Sequence, residues 1–251
     1  MNGRWAAARS AAGLAFAGLA FAGLAFAFSL PAGAADPSSH PPIIPRPLSS
    51  WSGFYGGAKF GGAFPSEDVT VGSGASFSTD PSGVLGGIQF GYNYLFSPNW
   101  LIGLEVEFDW TSGQGTATFA NATTVGTFTS NHNWYDIVAG RVGTTMGPWF
   151  YCVKGGVAWM NADYQMVTAA AIPGGVTINS TRGGLMIGVG AEYMLTPRWS
   201  AKGEYAFLDF GNQSYGFGIP VFGGTTVNTQ VHELKVGVNY HVVPGTLIGG
   251  F

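Results

Sequence analysis

The chain has 251 residues, 46% of them hydrophobic and 15% aromatic, but only 9% charged, with a net charge of −3. A soluble domain ordinarily carries about 25% charged residues, and a nucleic-acid binder would show a basic surplus. Composition therefore argues against the first class and excludes the second. After the N-terminal stretch there is no run of about 20 apolar residues, which excludes a bundle of transmembrane helices.

Ala11 to Leu30 repeats an LAFAG-type unit behind Arg4 and Arg9 and ends at Pro31 and Ala32-Gly33-Ala34. A charged start, an apolar middle and small residues at −3 and −1 describe a secretory signal peptide, residues 1–34, cleaved after Ala34. Losing Arg4 and Arg9 shifts the net charge from −3 to −5. Residues 35–50 hold five prolines, which lack the donor a sheet ladder needs. They form a Pro-rich periplasmic spacer of extended shape.

Residues 51–251 then read as one barrel domain. Alternation of apolar with small or polar residues predicts strands over 53–63, 83–96, 101–111, 132–145, 149–163, 181–195, 199–210 and 230–242. Ser97-Pro98-Asn99, Met146-Gly147-Pro148 and Thr196-Pro197-Arg198 are tight turns on one side. Long connections over 64–82, 112–131, 165–180 and 211–229 lie on the other. Short periplasmic turns opposite long outer loops are the asymmetry of outer-membrane barrels. The expected fold is all-β, an eight-stranded antiparallel up-and-down transmembrane β-barrel. Ten strands would require hairpins hidden in the loops.

Trp100 and Trp110 are ten residues apart, as are Trp149 and Trp159. Ten strand residues rise roughly 33 Å, which at a tilt of about 40° covers the roughly 25 Å lipid-facing band. Trp100, Trp149 and Trp199 then form a lower interface girdle, and Trp110, Trp134 and Trp159 an upper one. Trp51, just before the first strand, is expected among these membrane-interface aromatics too. Indole suits this zone because its ring is apolar while its N–H needs a polar partner.

Parity assigns the faces. A Lys or Arg facing lipid at midplane costs about 2–4 kcal/mol, so charged positions must face the lumen. That rule places Glu105, Glu107, Asp109, Glu192, Glu204 and Glu233 inside with Lys59, Arg141, Lys154, Arg182, Lys202 and Lys235. An eight-stranded barrel is just wide enough for its side chains to fill it. Balanced charges there imply an ion-pair plug, whereas a selective pore would show one sign in excess. Cys152 is the single cysteine and reads as a small interior residue.

The segment Trp51 to Phe64 (WSGFYGGAKFGGAF) resembles the first strand of the outer-membrane immunogenic protein family, opacity-type small barrels often described as porin-family proteins. The stretches Trp134 to Gly143, Trp149 to Trp159, Gly188 to Trp199, Glu204 to Gly211 and Glu233 to Tyr240 resemble the same family. The resemblance implies an eight-stranded outer-membrane barrel, surface exposure, often antigenicity, and no catalytic residue. One departure is the terminus. Such chains usually stop on a Phe that the insertion machinery reads, whereas here Val242 holds that place and a tail runs on to Phe251.

The expected function is thus an integral bacterial outer-membrane barrel with a structural and surface-exposed role, in contact with outer-membrane lipids, periplasmic chaperones and the insertion machinery. Its loops offer contacts to host or neighbouring cells. The alternative is a narrow porin for small solutes. A remoter one is an outer-leaflet lipid-modifying enzyme built on Ser130, His132 and Asp136, where parity turns His132 and Asp136 outward. Ser130 and Asp136 would lie about 20 Å apart along one strand, which argues against a triad. No metal or cofactor site and no nucleic-acid partner are expected. His40, His232 and His241 show no ligand cluster.

Overall fold

The structure, a computed structural model, describes residues 51–72, 74–120, 125–168, 175–218 and 224–242. The expectations for the signal peptide, the spacer and Phe251 lie outside these residues. Among them are the strands β1 (Gly53–Val71), β2 (Ser76–Thr79), β3 (Gly83–Ser97), β4 (Trp100–Thr111), β5 (Gln114–Ala120), β6 (Val125–Met146), β7 (Trp149–Thr168), β8 (Val176–Met194), β9 (Trp199–Gly216) and β10 (Gly224–His241).

Eight of these strands close the wall in the order β1-β3-β4-β6-β7-β8-β9-β10, and β10 returns antiparallel to β1 with Tyr55 opposite His241. Closure leaves no strand edge at the level of the lipid band. The two remaining strands sit above this ring. β2 pairs the extension of β1, and β5 pairs the extension of β6. Much of what alternation marked as loop is therefore hairpin, notably 64–71, 114–120 and 125–131. The physical reason lies in the inward positions of these extensions. Val69, Val71, Phe119, Phe128 and Val227 are buried against one another, so the strands continue as a packed collar above the membrane.

Two register shifts decide where side chains point. Between His132 and Trp134 the ladder of β6 on β7 skips a residue, and between Asp209 and Asn212 of β9 the ladder on β10 skips at Phe210-Gly211. Gly211 has φ +62°, a conformation glycine adopts without steric penalty. Each bulge inverts inside and outside for the rest of its strand.

Outside, the wall is apolar between two aromatic girdles. Trp149 packs edge-on to Tyr193 at 4.8 Å, and Trp199 to Tyr240 at 5.1 Å. Trp100, Trp110, Trp149, Trp159 and Trp199 are exposed on the outer face, and Trp134 stands opposite Trp110. Above the upper girdle the surface turns polar. Asn133 donates to Asn161 at 2.8 Å and to Asp163 at 3.0 Å, and Asn179 donates to Asp163 at 2.8 Å.

Trp51 departs from the girdle expected of it. It is 3% exposed and lies in the lower mouth of the lumen, 5.5 Å from the Phe150 ring and beside Leu101 and Met194. The segment entering β1 folds inward, so the indole buries its apolar area within the mouth rather than in lipid.

Candidate functional site

The lumen is the only place where this chain gathers ionisable side chains in number, among the described residues. The inward positions change in character with height along the long strands. On β7 they include Phe150, Lys154, Ala158, Met160, Tyr164 and Met166; on β10, read upward, they include His241, Asn239, Lys235, Glu233, Val231 and Val227. The lumen therefore alternates apolar and charged layers from the lower mouth to the collar.

The lower charged layer is built around Lys154. Its ammonium donates to Glu105 at 2.6 Å, to Glu204 at 2.8 Å and to Glu107. Glu105, Glu107 and Glu204 each place an oxygen within 4.8 Å of the others, a spacing that suits a small cation, and the Lys154 ammonium serves them. Lys202 bridges Glu105 and Glu204 at 3.0 Å each. Lys235 bridges Glu107 and Glu233 at 2.8 Å each, and Lys59 holds Glu107 and Asp109, the latter at 2.8 Å. Arg141 reaches Glu105 at 3.3 Å and Glu192 at 3.4 Å while its guanidinium stacks 4.4 Å from the Tyr55 ring. Tyr55 donates to Glu105 at 2.5 Å.

Small residues make room for this density of groups. A Cβ on Gly87 would overlap Asp109 Oδ1, and one on Gly91 would overlap the Tyr55 hydroxyl. Taking charges out of water costs several kcal/mol per ion, and pairing offsets this only when the remaining lone pairs and protons also find partners.

Above it lies an apolar layer that includes Leu85, Ile137, Met160 and Leu208, all buried. A second polar cluster follows, centred on Glu67. His132 Nε2 lies 2.9 Å from Glu67 Oε1, and His132 Nδ1 lies 2.5 Å from the Tyr135 hydroxyl. Thr79, Tyr164 and Thr229 also donate to this carboxylate, at 3.1, 3.3 and 3.2 Å. Arg182 donates to Tyr164 at 3.1 Å and to Thr229. Burial opposes the charge on Glu67, yet the hydrogen bonds from His132 and Thr79 hold its carboxyl below the usual range. Phe77 and Phe119 stack above, 5.2 Å apart.

Residues 20–241 match the family model described as the outer membrane protein beta-barrel domain. The chain belongs to that family. It is 29% identical over 218 residues to the 31 kDa outer-membrane immunogenic protein of Brucella melitensis biotype 1, covering 82% of this chain and 89% of the relative. Among solved structures, OprG of Pseudomonas aeruginosa aligns at 14% identity and a TM-score of 0.47, over 77% of this chain and 99% of OprG. Neisserial surface protein A aligns at 17% and 0.41, over 76% and 98%. This family member is a small bacterial outer-membrane barrel.

All twelve charges assigned to the lumen are buried in it. Eleven of them meet in the Lys154 layer, and Arg182 instead joins the cluster around Glu67. Sequence reading placed Glu67 in an outer loop and missed it. The odd-numbered inward parity of β1 continues unbroken from Lys59 through Ala63 to Glu67, so prolonging the strand by four residues would have found it. His132 is a second correction. Expected outward, it is 2% exposed and points inward, because the bulge after it inverts the face, while Asp136 stays outside. The Ser130, His132 and Asp136 arrangement is thus divided between the two faces of the wall. Cys152 faces inward beside Gly190.

Proposed function

We propose that this barrel is a structural, surface-exposed component of the outer membrane whose lumen is closed, with no catalytic role. One observation carries the reading: Lys154 spans the lumen to carboxylates on β4 and β9, and apolar layers lie below and above it. A solute would have to break several buried ion pairs at once. The collar raises polar hairpins above the lipid band and suits contact with host or neighbouring cells. The immunogenic designation of the Brucella relatives supports that exposure. Outer-membrane lipids, periplasmic chaperones and the insertion machinery are the partners that such a barrel needs.

Single-channel recording of the refolded barrel in planar bilayers tests this. Little or no conductance is expected. A steady, large, ion-selective conductance would overturn the closed lumen and favour a narrow porin. Antibody labelling of intact cells tests the surface role separately, and its absence there with labelling after permeabilisation would overturn it.

A further inference from the structure

The charges of the lower layer do not balance. At its lower end Glu105, Glu192 and Glu204 meet three cations, Arg141, Lys154 and Lys202, and Glu204 also lies 3.5 Å from Lys235. At its upper end Glu107, Asp109 and Glu233 share only Lys59 and Lys235 between them, apart from the contact Glu107 makes to Lys154. Taken over the whole layer, six carboxylates face five permanent cations. His241 does not correct this, because it sits at the opposite end of the layer on Ser200 and Glu192. Nor does Arg182, whose hydrogen bonds go to Tyr164, Thr229 and the Val227 carbonyl.

The deficit coincides with a second, independent observation. Asp109 Oδ1 and Glu233 Oε1 are buried and have no hydrogen-bond partner. Both carboxyls flank one ammonium, with Lys235 Nζ 2.8 Å from Glu233 Oε2 and 3.7 Å from Asp109 Oδ2. Across the ladders Glu233 faces Ala63 and Ala206, and Asp109 faces Gly87 and Tyr135. The charged or titratable groups around the pair are Lys59 from β1, Glu107 from β4, Tyr135 from β6, Lys154 from β7, Glu204 from β9 and Lys235 from β10. On β8 the nearby inward residues are Met186 and Gly188, which carry no charge. The layer above is apolar and separates the pair from the collar.

We propose that Asp109 and Glu233 together form a proton-binding site that holds one proton at neutral pH. An excess negative charge confined in low dielectric is very costly, and the three carboxylates that share Lys59 and Lys235 are relieved of it when the Asp109 and Glu233 pair holds one proton. The proton is taken up as the barrel folds, cancels the excess charge and turns one carboxylate of the pair into a neutral carboxyl. The lower charged layer is then electrically closed. This inference rests on the charge count and geometry, not on whether the lumen conducts.

Infrared spectroscopy of the refolded barrel at neutral pH reads the proton directly, because a protonated carboxyl has a carbonyl band well above that of a carboxylate. The wild type should show this band. Glu233→Gln and Asp109→Asn should each abolish it, fold, and keep the wild-type unfolding midpoint, since either change leaves the layer neutral. The double variant should unfold earlier, with one cation now in excess. Absence of the band in wild type, its survival in both single variants, or failure of both single variants to fold would each overturn the proposal. So would a missing band together with an unfolding midpoint that falls when sodium and potassium are replaced by choline, which would assign the site to a metal cation.

Discussion

His132 and Trp134 are two residues apart on one strand, yet they face opposite sides of the wall. In a regular strand residues i and i+2 share a face. Here the bulge at Asn133 inserts an extra residue. His132 therefore reaches Glu67 at 2.9 Å inside, while Trp134 joins the outer girdle opposite Trp110. The bulge lies where β6 leaves the lipid band and enters the collar, so one local irregularity serves both surroundings.

That contact gives the collar an acid sensitivity. Glu67 is held below its ordinary value of 4.5, so its contribution is complete above that value and is lost as pH falls through the lower folded one. Unfolding titrations of the refolded barrel should show a loss of stability on the acid side. Glu67→Gln should be less stable at neutral pH by about 2 kcal/mol and should lack that acid-side component. An unchanged pH profile in the variant would show that Glu67 does not govern it.

Lys154 should be the most sensitive single position in the lumen. Lys154→Met leaves Glu105, Glu107 and Glu204 without their shared ammonium, and breaking a buried pair in this way costs about 3–5 kcal/mol. Heat-modifiable migration on gels and urea unfolding in detergent measure it. A loss under 1 kcal/mol would mean that water already screens these carboxylates.

On the outer face the penalty should depend on height. Leu104, 56% exposed between the girdles, should lose about 2–4 kcal/mol on substitution by Lys. Val125, 55% exposed in the collar, should tolerate Lys with little effect. Equal losses at the two positions would misplace the lipid band.

Topology is open to epitope tagging. A tag at Gly74, in the hairpin between β1 and β2, should be labelled on intact cells, whereas one at Asn99 or Pro148 should be labelled only after permeabilisation. The reverse pattern would invert the barrel in the membrane.

Alternation and the exclusion of charge from lipid were enough to read the fold class and the facing of all twelve lumen charges from sequence. Both rules act locally. The side-chain period of a strand is two, and a lysine or glutamate has only one tolerable side. Leu101, Phe150, Ile137 and Leu208 share the parity of Glu105, Lys154, Arg141 and Glu204 and fall inside by the same rule, but only closure of the ring shows which residues they pack against, and so where the apolar layers lie. Trp51 lies before the first predicted strand, where alternation assigns no face, and its ring is as stable in the mouth as in the girdle. Glu67 and His132 depended on the length of β1 and on a bulge in β6. Contacts among Val69, Val71, Phe119 and Phe128, far apart along the chain, extend those strands above the membrane. The residue types thus determined which groups avoid lipid. The register of eight paired strands decided which of them meet, and so where Lys154, Glu67 and the Asp109–Glu233 pair stand.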